Sequence, residues 1–243
     1  MILPYGLNVT RPSSHSGRGT ALSELIAQAL EDQRVDEFGP STVLGALYQR
    51  ADRETFDAAL RLIASDRAEE RILGVRILRD LGVTGKPDYE RAFWRESLPA
   101  LIALMGREEE VAVMRWLVPG IGFFGRPEAL LPLVGMVSSP DADVRYSVAS
   151  AITSSVTEWT EPEAEAISAL SKLASDPDPV VRYSAVFDLA HLGPDSPAVR
   201  SVLCLAVNDV DSQVAAYARG GLGRLDGRSL DECPERELLD DLL

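Results

Sequence analysis

Apolar residues along this chain recur at steps of three and four, in short runs separated by polar turns. In the segment PVVRYSAVFDLAHL one helical face carries Val181, Ala185, Leu189 and Leu192. This spacing is typical of an amphipathic helix, and it returns in nearly every apolar run. The strict alternation of a half-buried strand does not occur. The pattern therefore predicts an all-α protein.

The predicted helices form pairs, and the second helix of each pair begins with a shared phrase. Its clearest copies are SSPDADVRYSVASAI (138–152) and SDPDPVVRYSAVFDL (175–189). Looser copies lie at 65–82, 107–125 and 208–222. One helical hairpin cannot bury its apolar face alone, so repeated hairpins must stack. The sequence predicts a right-handed α-solenoid of about five hairpins with an N-terminal helical cap.

The two ends of the chain differ from the repeats. Segment 1–20 is rich in Gly, Ser and Pro and is predicted to be flexible. Residues 21–243 are predicted to form one solenoid, in which 21–50 is the N-terminal cap and the acidic stretch 228–243 is the C-terminal cap. Solenoids need such polar caps because an end hairpin would otherwise expose its apolar face.

The phrase D-x-D-x-x-V-R-x-x-A-x-x-x-L-x-x-L-G resembles HEAT repeats, especially the bacterial HEAT-like arrays grouped with phycobilisome-lyase-type repeats. The resemblance covers about 41–226, and ERILGVRILRDLG with DPDPVVRYSAVFDLAHLG is similar to uncharacterised actinobacterial HEAT-repeat proteins. It implies a fold and leaves the function open, because the motif consists of packing positions. Met114 and Ala215 depart from it, since both stand where the phrase has arginine.

The same resemblance implies a structural ladder of charges between stacked hairpins. Its members are Arg71, Asp141, Arg145, Asp176, Asp178 and Arg182. Aspartate caps a helix start with about 1 kcal/mol, and arginine in a first turn opposes the helix dipole unless a carboxylate pairs with it. The rival interpretation, a metal or phosphate site, needs convergent ligands beyond one acidic turn. We expect no metal and no cofactor.

Charge narrows the classes of partner. The chain has 24 basic and 38 acidic residues, a formal net charge of −14. Such a charge argues against nucleic acid and anionic membranes as partners. Two cysteines make no disulfide framework, and neither a signal peptide nor a membrane-spanning apolar run is evident. The predicted location is the cytoplasm.

Candidate chemistry is sparse. The two histidines are His15, in the N-terminal segment, and His191, near a predicted helix end, where a cap or surface role is expected. Cys204 lies in an apolar run and is expected to be buried and inert. The glycines of ARGGLGRLDGR follow no strand, so they are predicted to allow close helix packing and not to bind phosphate. No catalytic residue is assigned.

The surface predicted to bind a partner is the face of the second helices opposite their apolar stripes. At about 100° per residue this face carries a track of arginine and aromatic side chains, together with Ile72, Ser150 and Ala190. The track consists of Arg76, Arg79, Arg115, Tyr146, Tyr183 and Phe187. It would suit an acidic or helical peptide. The alternative is that Phe187 packs between adjacent second helices and that the arginines pair locally.

These observations favour a non-enzymatic scaffold that binds a protein or peptide on the concave face of the solenoid. An immunity or antitoxin-like inhibitor is a more specific form of this hypothesis. The alternative class is an enzyme on the same scaffold, such as an alkylpurine DNA glycosylase or a bilin-lyase-type protein. The sequence leaves the oligomeric state open.

Overall fold

A computed structural model describes residues 21–35, 42–82, 93–156 and 163–227. Every regular element in these ranges is helical. The predicted flexible segment 1–20 and the predicted acidic cap 228–243 lie outside the described residues. The helices divide between two compact units, Met1–Trp94 and Arg95–Leu243.

The first unit contains four described helices. They are α1 (Leu22–Val35), α2 (Thr42–Arg50), α3 (Arg53–Ile63) and α4 (Ala68–Asp80). The helices α3 and α4 form a tightly packed hairpin around Phe56, Leu73 and Ile77. Gly74 makes this approach possible, because a Cβ there would stand 2.7 Å from the Ile63 side chain. Asp52 caps α3 by accepting from the Thr55 amide at 2.8 Å.

The second unit continues the pattern of helical pairs. Its α-helices are α5 (Trp94–Met105), α6 (Val111–Gly122), α7 (Leu130–Val134), α8 (Ala142–Ser155), α9 (Glu163–Leu173), α10 (Pro179–Leu192), α11 (Pro197–Ala206) and α12 (Ser212–Leu225). The second helices α6, α8, α10 and α12 pack side by side in that order, and α7, α9 and α11 form the other layer. The predicted all-α repeat architecture is confirmed.

Small residues set the spacing between second helices. A Cβ on Gly122 of α6 would stand 2.5 Å from the Ala151 Cβ of α8. A Cβ on Gly221 of α12 would stand 2.7 Å from the Ala190 Cβ of α10. Neither glycine can be enlarged unless the helices separate. The predicted close packing thus holds for Gly221 of ARGGLGRLDGR, whereas a Cβ on Gly227 would meet nothing within 4 Å. Ala190 is buried between helices instead of facing a partner.

Three local features depart from the regular helical pattern of the sequence. The run 127–137 forms a 3-10 turn (Pro127–Ala129) followed by the short α7, because Pro132 and Gly135 interrupt a longer helix. Leu192, the last member of the α10 stripe, is 55% exposed at the helix end. Ile72 is buried in the core of the first unit. In the part of the chain that the structure describes, no helix is both long and apolar enough to cross a bilayer.

Candidate partner-binding surface

Arginine–aspartate pairs join consecutive second helices at their N-terminal ends. Arg145 of α8 donates to both carboxylate oxygens of Asp176 at 2.7 and 2.8 Å. Arg182 of α10 does the same to Asp209 at 2.8 Å twice. Each arginine also donates to two carbonyls of the turn before its own helix. These bidentate contacts, which we name the ladder, hold one hairpin to the next.

The roles within the ladder follow the position of each aspartate in its turn. Asp176 and Asp209 accept from arginine, whereas Asp178 and Asp211, two residues later, cap α10 and α12. Asp178 is therefore a helix cap in the structure and not an acceptor from arginine. Arg71 donates to the Ser65 carbonyl of its own hairpin at 3.0 Å.

A third ladder pair is displaced by one residue. Met114 stands where the repeat phrase has arginine, and the next residue, Arg115, donates to Asp141 at 2.7 and 3.2 Å. Arg115 also lies 3.1 Å from Asp143. The track assigned Arg115 to a partner, but the structure engages its guanidinium with these carboxylates. The Arg115 side chain is long enough to reach the neighbouring turn although it stands one residue later in the phrase.

The ladder changes how its carboxyl groups titrate. Hydrogen bonds from Arg182 lower the pKa of Asp209, and those from Arg115 lower the pKa of Asp141. Burial alone would raise the pKa of Asp176, but the hydrogen bonds from Arg145 and the Asp178 amide outweigh it and lower that pKa. These carboxylates are thus held in their charged form.

The two arginines of the track in the first unit also have partners within that unit. Arg76 is only 6% exposed, and its Nη1 donates to the Gln33 side chain at 3.3 Å. Arg79 donates to the carboxylate of the adjacent Asp80 at 2.9 Å. The predicted exposure of Arg76 is therefore corrected: α1 supplies a polar partner that draws the side chain inward.

The aromatic part of the track belongs to a cluster on α10 and α12. Tyr183, Phe187 and His191 follow one another at four-residue steps along α10, and Tyr217 of α12 lies against all three. The Phe187 ring centroid is 4.1 Å from that of His191 and 5.0 Å from that of Tyr217. All four rings are half-buried, so each keeps part of its surface for another molecule. We name these four residues the aromatic cluster.

A polar seam runs between α8 and α10 beside this cluster. The Ser150 and Ser184 hydroxyls lie 3.4 Å apart, and the Thr153 hydroxyl donates to Asp188 at 3.2 Å. Tyr146 is half-buried on α8, and its carbonyl accepts from Ser184 at 3.2 Å. The pKa of Tyr183 is raised, mainly by burial. Tyr217, Tyr146 and the negative charge of Asp188 raise it further. The seam is therefore within electrostatic reach of the cluster.

Asp188 differs from Asp141, Asp176 and Asp209 in accepting no hydrogen bond from an arginine. Burial raises its pKa to about 7, opposed only by the hydrogen bond from Thr153. The Thr153 hydroxyl also lies 3.2 Å from the Ala149 carbonyl, and its single proton cannot fully serve both acceptors. A protonated Asp188 resolves this, because it donates to Thr153 while Thr153 donates to Ala149. A neutral carboxyl group thus satisfies the contacts of the Thr153 hydroxyl, and Oδ1 of Asp188 is not part of them.

Sequence reasoning did not assign a role to Tyr217, Thr153 or Asp188. Tyr217 aligns with Ser184 in the repeat, so the aromatic positions of other copies do not predict it. The sequence shows Asp188 as an acidic residue between Phe187 and Leu189, but the helical pattern does not indicate whether its side chain is buried or solvated. Only the neighbouring helix shows that it is buried.

Other candidate chemistry takes a different form from the one expected. Cys204 is exposed on α11, so the expected burial is wrong: the apolar face of that helix is formed by Val199, Leu203 and Ala206. The His191 ring donates a hydrogen bond from Nδ1 to the Phe187 carbonyl at 2.8 Å. Within 21–35, 42–82, 93–156 and 163–227, no three His, Cys, Asp or Glu side chains converge as metal ligands.

No family model matches this chain. Among curated proteins, Bilin biosynthesis protein CpeZ of Synechococcus sp. (strain WH8020) is 26% identical over 151 residues, which is 59% of this chain and 80% of CpeZ. The similarity is consistent with the resemblance to bilin-lyase-type repeats. The comparisons do not bear on the resemblance to actinobacterial proteins, which stays a prediction.

Solved structures show the same kind of fold. The E. coli protein YibA aligns with a TM-score of 0.60 and 17% identity, covering 86% of this chain and 77% of YibA. A designed armadillo repeat protein in complex with the peptide (KR)4 aligns with a TM-score of 0.57 and 18% identity, covering 85% of this chain and all of the designed one. These neighbours, with the helical pairs described above, identify the fold as a helical repeat solenoid.

Proposed function

We propose that this chain is a non-enzymatic helical repeat protein that binds a segment of a partner protein across α8, α10 and α12. The observation that carries the proposal is the aromatic cluster, in which four half-buried rings from two consecutive repeats form one patch. Tyrosine and other aromatic residues contribute a large share of binding energy at protein interfaces.

Two further observations support a protein partner. A net charge of −14 argues against nucleic acid, because binding to phosphates requires a basic surface. Folds of this kind can hold a peptide, as the designed armadillo repeat protein holds (KR)4. An inhibitor that neutralises its partner, of the immunity or antitoxin kind, is the more specific form of the proposal.

The proposal is tested by affinity capture from an extract of the native host. The wild type is compared with a Tyr183→Ser/Phe187→Ser variant and with Leu205→Ser, which removes an exposed apolar residue on α11. We expect the first variant to lose proteins that the wild type and Leu205→Ser retain, as measured by quantitative mass spectrometry. Equal retention by all three proteins would refute a binding role for the cluster. For the inhibitor form, an activity assay of the retained partner gives the answer.

A further inference from the structure

The track arginines give no evidence that the partner is acidic. In the second unit, the only track arginine, Arg115, already pairs with carboxylates of the chain itself. Arg115 lies on Asp141 and Asp143. The acidic residue that adjoins the aromatic cluster along α10 is Asp188, which directly follows Phe187. The predicted preference for an acidic peptide therefore does not follow from the structure.

Asp188 combines burial with an open hydrogen-bonding position. It is 8% exposed, and Thr153 contacts only its Oδ2 atom. Among the residues that the structure describes, no donor is within hydrogen-bond distance of Oδ1. A buried carboxylate normally has several donors or an arginine, as the ladder shows. Asp188 is thus set up to accept a hydrogen bond from outside the chain.

The aromatic cluster supplies the second half of a site for a cation. The faces of tyrosine and phenylalanine rings attract a guanidinium or ammonium group through their quadrupole. The same α10 helix carries Tyr183 and Phe187 in the cluster and Asp188 in the seam. A planar guanidinium can stack on a ring and donate to a carboxylate at once.

We propose that the partner segment is basic, and that one of its arginine or lysine side chains stacks on the aromatic cluster and pairs with the Asp188 carboxylate. This inference rests on the proposed function, because it names the chemistry of the partner at the same surface. The chain's net charge of −14 favours the encounter through long-range attraction.

Pairing requires the charged form of Asp188, so binding below neutral pH must release a proton. The Thr153 hydroxyl of α8 hydrogen-bonds to Asp188, and Tyr183 of α10 interacts with it electrostatically. Other titratable groups on the packed helices include His191 on α10, Tyr146 on α8, and Tyr217 and Arg224 on α12. Arg224 is engaged with the carbonyls of Ala190 and Gly193 at 2.6 Å each. The buried faces of α9 and α11 are apolar. No described cation of the chain therefore substitutes for the partner's.

The experiment measures binding of a dye-labelled octapeptide of alternating lysine and arginine to the full chain by fluorescence anisotropy. Titrations run from about pH 5.5 to about pH 8.5 at constant ionic strength. We expect affinity to rise about tenfold per pH unit below pH 7 and to level off above it, because each bound cation displaces one proton. An octapeptide of alternating aspartate and glutamate should not bind.

Two variants of equal charge separate the site from diffuse attraction. Asp188→Asn should weaken binding roughly 10- to 100-fold at about pH 8 and abolish the pH dependence. Glu165→Gln removes the same charge from an exposed position on α9 and should bind as the wild type does. Phe187→Leu keeps an apolar side chain but loses the ring face, and should weaken binding roughly fivefold.

Equal effects of Asp188→Asn and Glu165→Gln would overturn the inference, as would a wild type that ignores the basic octapeptide at every pH. Neither result touches the host-capture experiment, which depends on Tyr183 and Phe187 whatever the charge of the partner. Conversely, pH-dependent octapeptide binding with unchanged host capture would support the basic site and refute the proposed function. The melting temperature of Asp188→Asn shows that the variant is folded.

Discussion

Asp176, in the turn before α10, and Asp188, within α10, are each 8% exposed. Arg145 donates twice to Asp176, and the pKa of that carboxyl is lowered. Asp188 has only the Thr153 hydroxyl, and its pKa is raised to about 7. Equal surface exposure therefore does not make two carboxylates equivalent, because burial dominates the pKa of Asp188 whereas hydrogen bonds outweigh burial at Asp176. The difference lies in whether the fold provides the opposite charge.

Among the substitutions considered, removing the arginine of a ladder pair should change the free energy of unfolding most. Arg145→Ala leaves Asp176 buried without its cation, and Arg182→Ala does the same to Asp209. Each change should lower the free energy of unfolding at pH 7 by about 1–3 kcal/mol, since a buried carboxylate loses its charged hydrogen bonds. Chemical denaturation measures the loss. Arg61→Ala, at an exposed position on α3, is the control and should change little.

The ladder loss should also depend on pH. Because the pKa values of Asp176 and Asp209 are depressed in the folded protein, their contribution is present above about pH 4 and disappears as the pH falls through the folded values. The penalty of either arginine substitution should shrink in acid. A penalty of the same size at every pH would mean that lost packing, and not the ion pair, accounts for it.

Neutralising Asp188 should increase stability at alkaline pH, whereas removing a ladder arginine should decrease it. Its pKa is raised in the folded state, so its contribution is fully present below about pH 4 and is lost as the pH rises towards 7. Asp188→Asn should therefore stabilise the protein by about 1–2 kcal/mol near pH 8 and leave it unchanged near pH 4. Thermal melting at the two pH values measures the difference. Destabilisation near pH 8 would show that the fold depends on the charge.

The aromatic cluster should contribute less to stability than the ladder. Tyr183→Ala removes contacts with Phe187 and Tyr217, and should cost about 1 kcal/mol. Combined with Tyr146→Ala, it should keep the melting temperature within a few degrees while binding of the partner weakens. A large loss of stability with partner binding unchanged would assign these rings to the core.

The exposed ladder pair should show the smallest effect. The Arg115 side chain is 47% exposed, so solvent screens its attraction to Asp141. Arg115→Ala should cost less than about 1 kcal/mol, measured by the same denaturation as Arg145→Ala. A loss of stability equal to that of Arg145→Ala would show that the contribution of a ladder pair does not depend on its solvent exposure.

The fold could be predicted from the sequence because the same pattern of packing residues recurs in several copies. The phrase around Val181 and Arg182 predicts a helix start, an apolar stripe and a hairpin partner, and each recurrence reinforces the others. The prediction is less accurate where a copy is altered locally. Pro132 and Gly135 shorten α7, and the arginine next to Met114 takes over the ladder position.

The candidate site could be predicted only in part. Helical spacing placed Tyr183 and Phe187 on one face correctly, since one helix determines that relation. It could not show that Tyr217 of the next repeat completes the cluster, or that Gln33 from a distant helix draws Arg76 inward. Those contacts depend on which helices are neighbours and on how closely they approach.

The sequence by itself determined the helical class, the hairpin repeat and the charged phrase at each helix start, because these follow from local periodicity and capping. Only the tertiary structure decided which carboxylate receives an arginine. Asp176 and Asp188 are both aspartates of the same repeat, yet their pKa values shift in opposite directions. Arg145, 31 residues away in the chain, hydrogen-bonds to Asp176, whereas Asp188 is buried and receives only the Thr153 hydroxyl. The electrostatic energy of a buried charge depends on groups within a few ångströms in space.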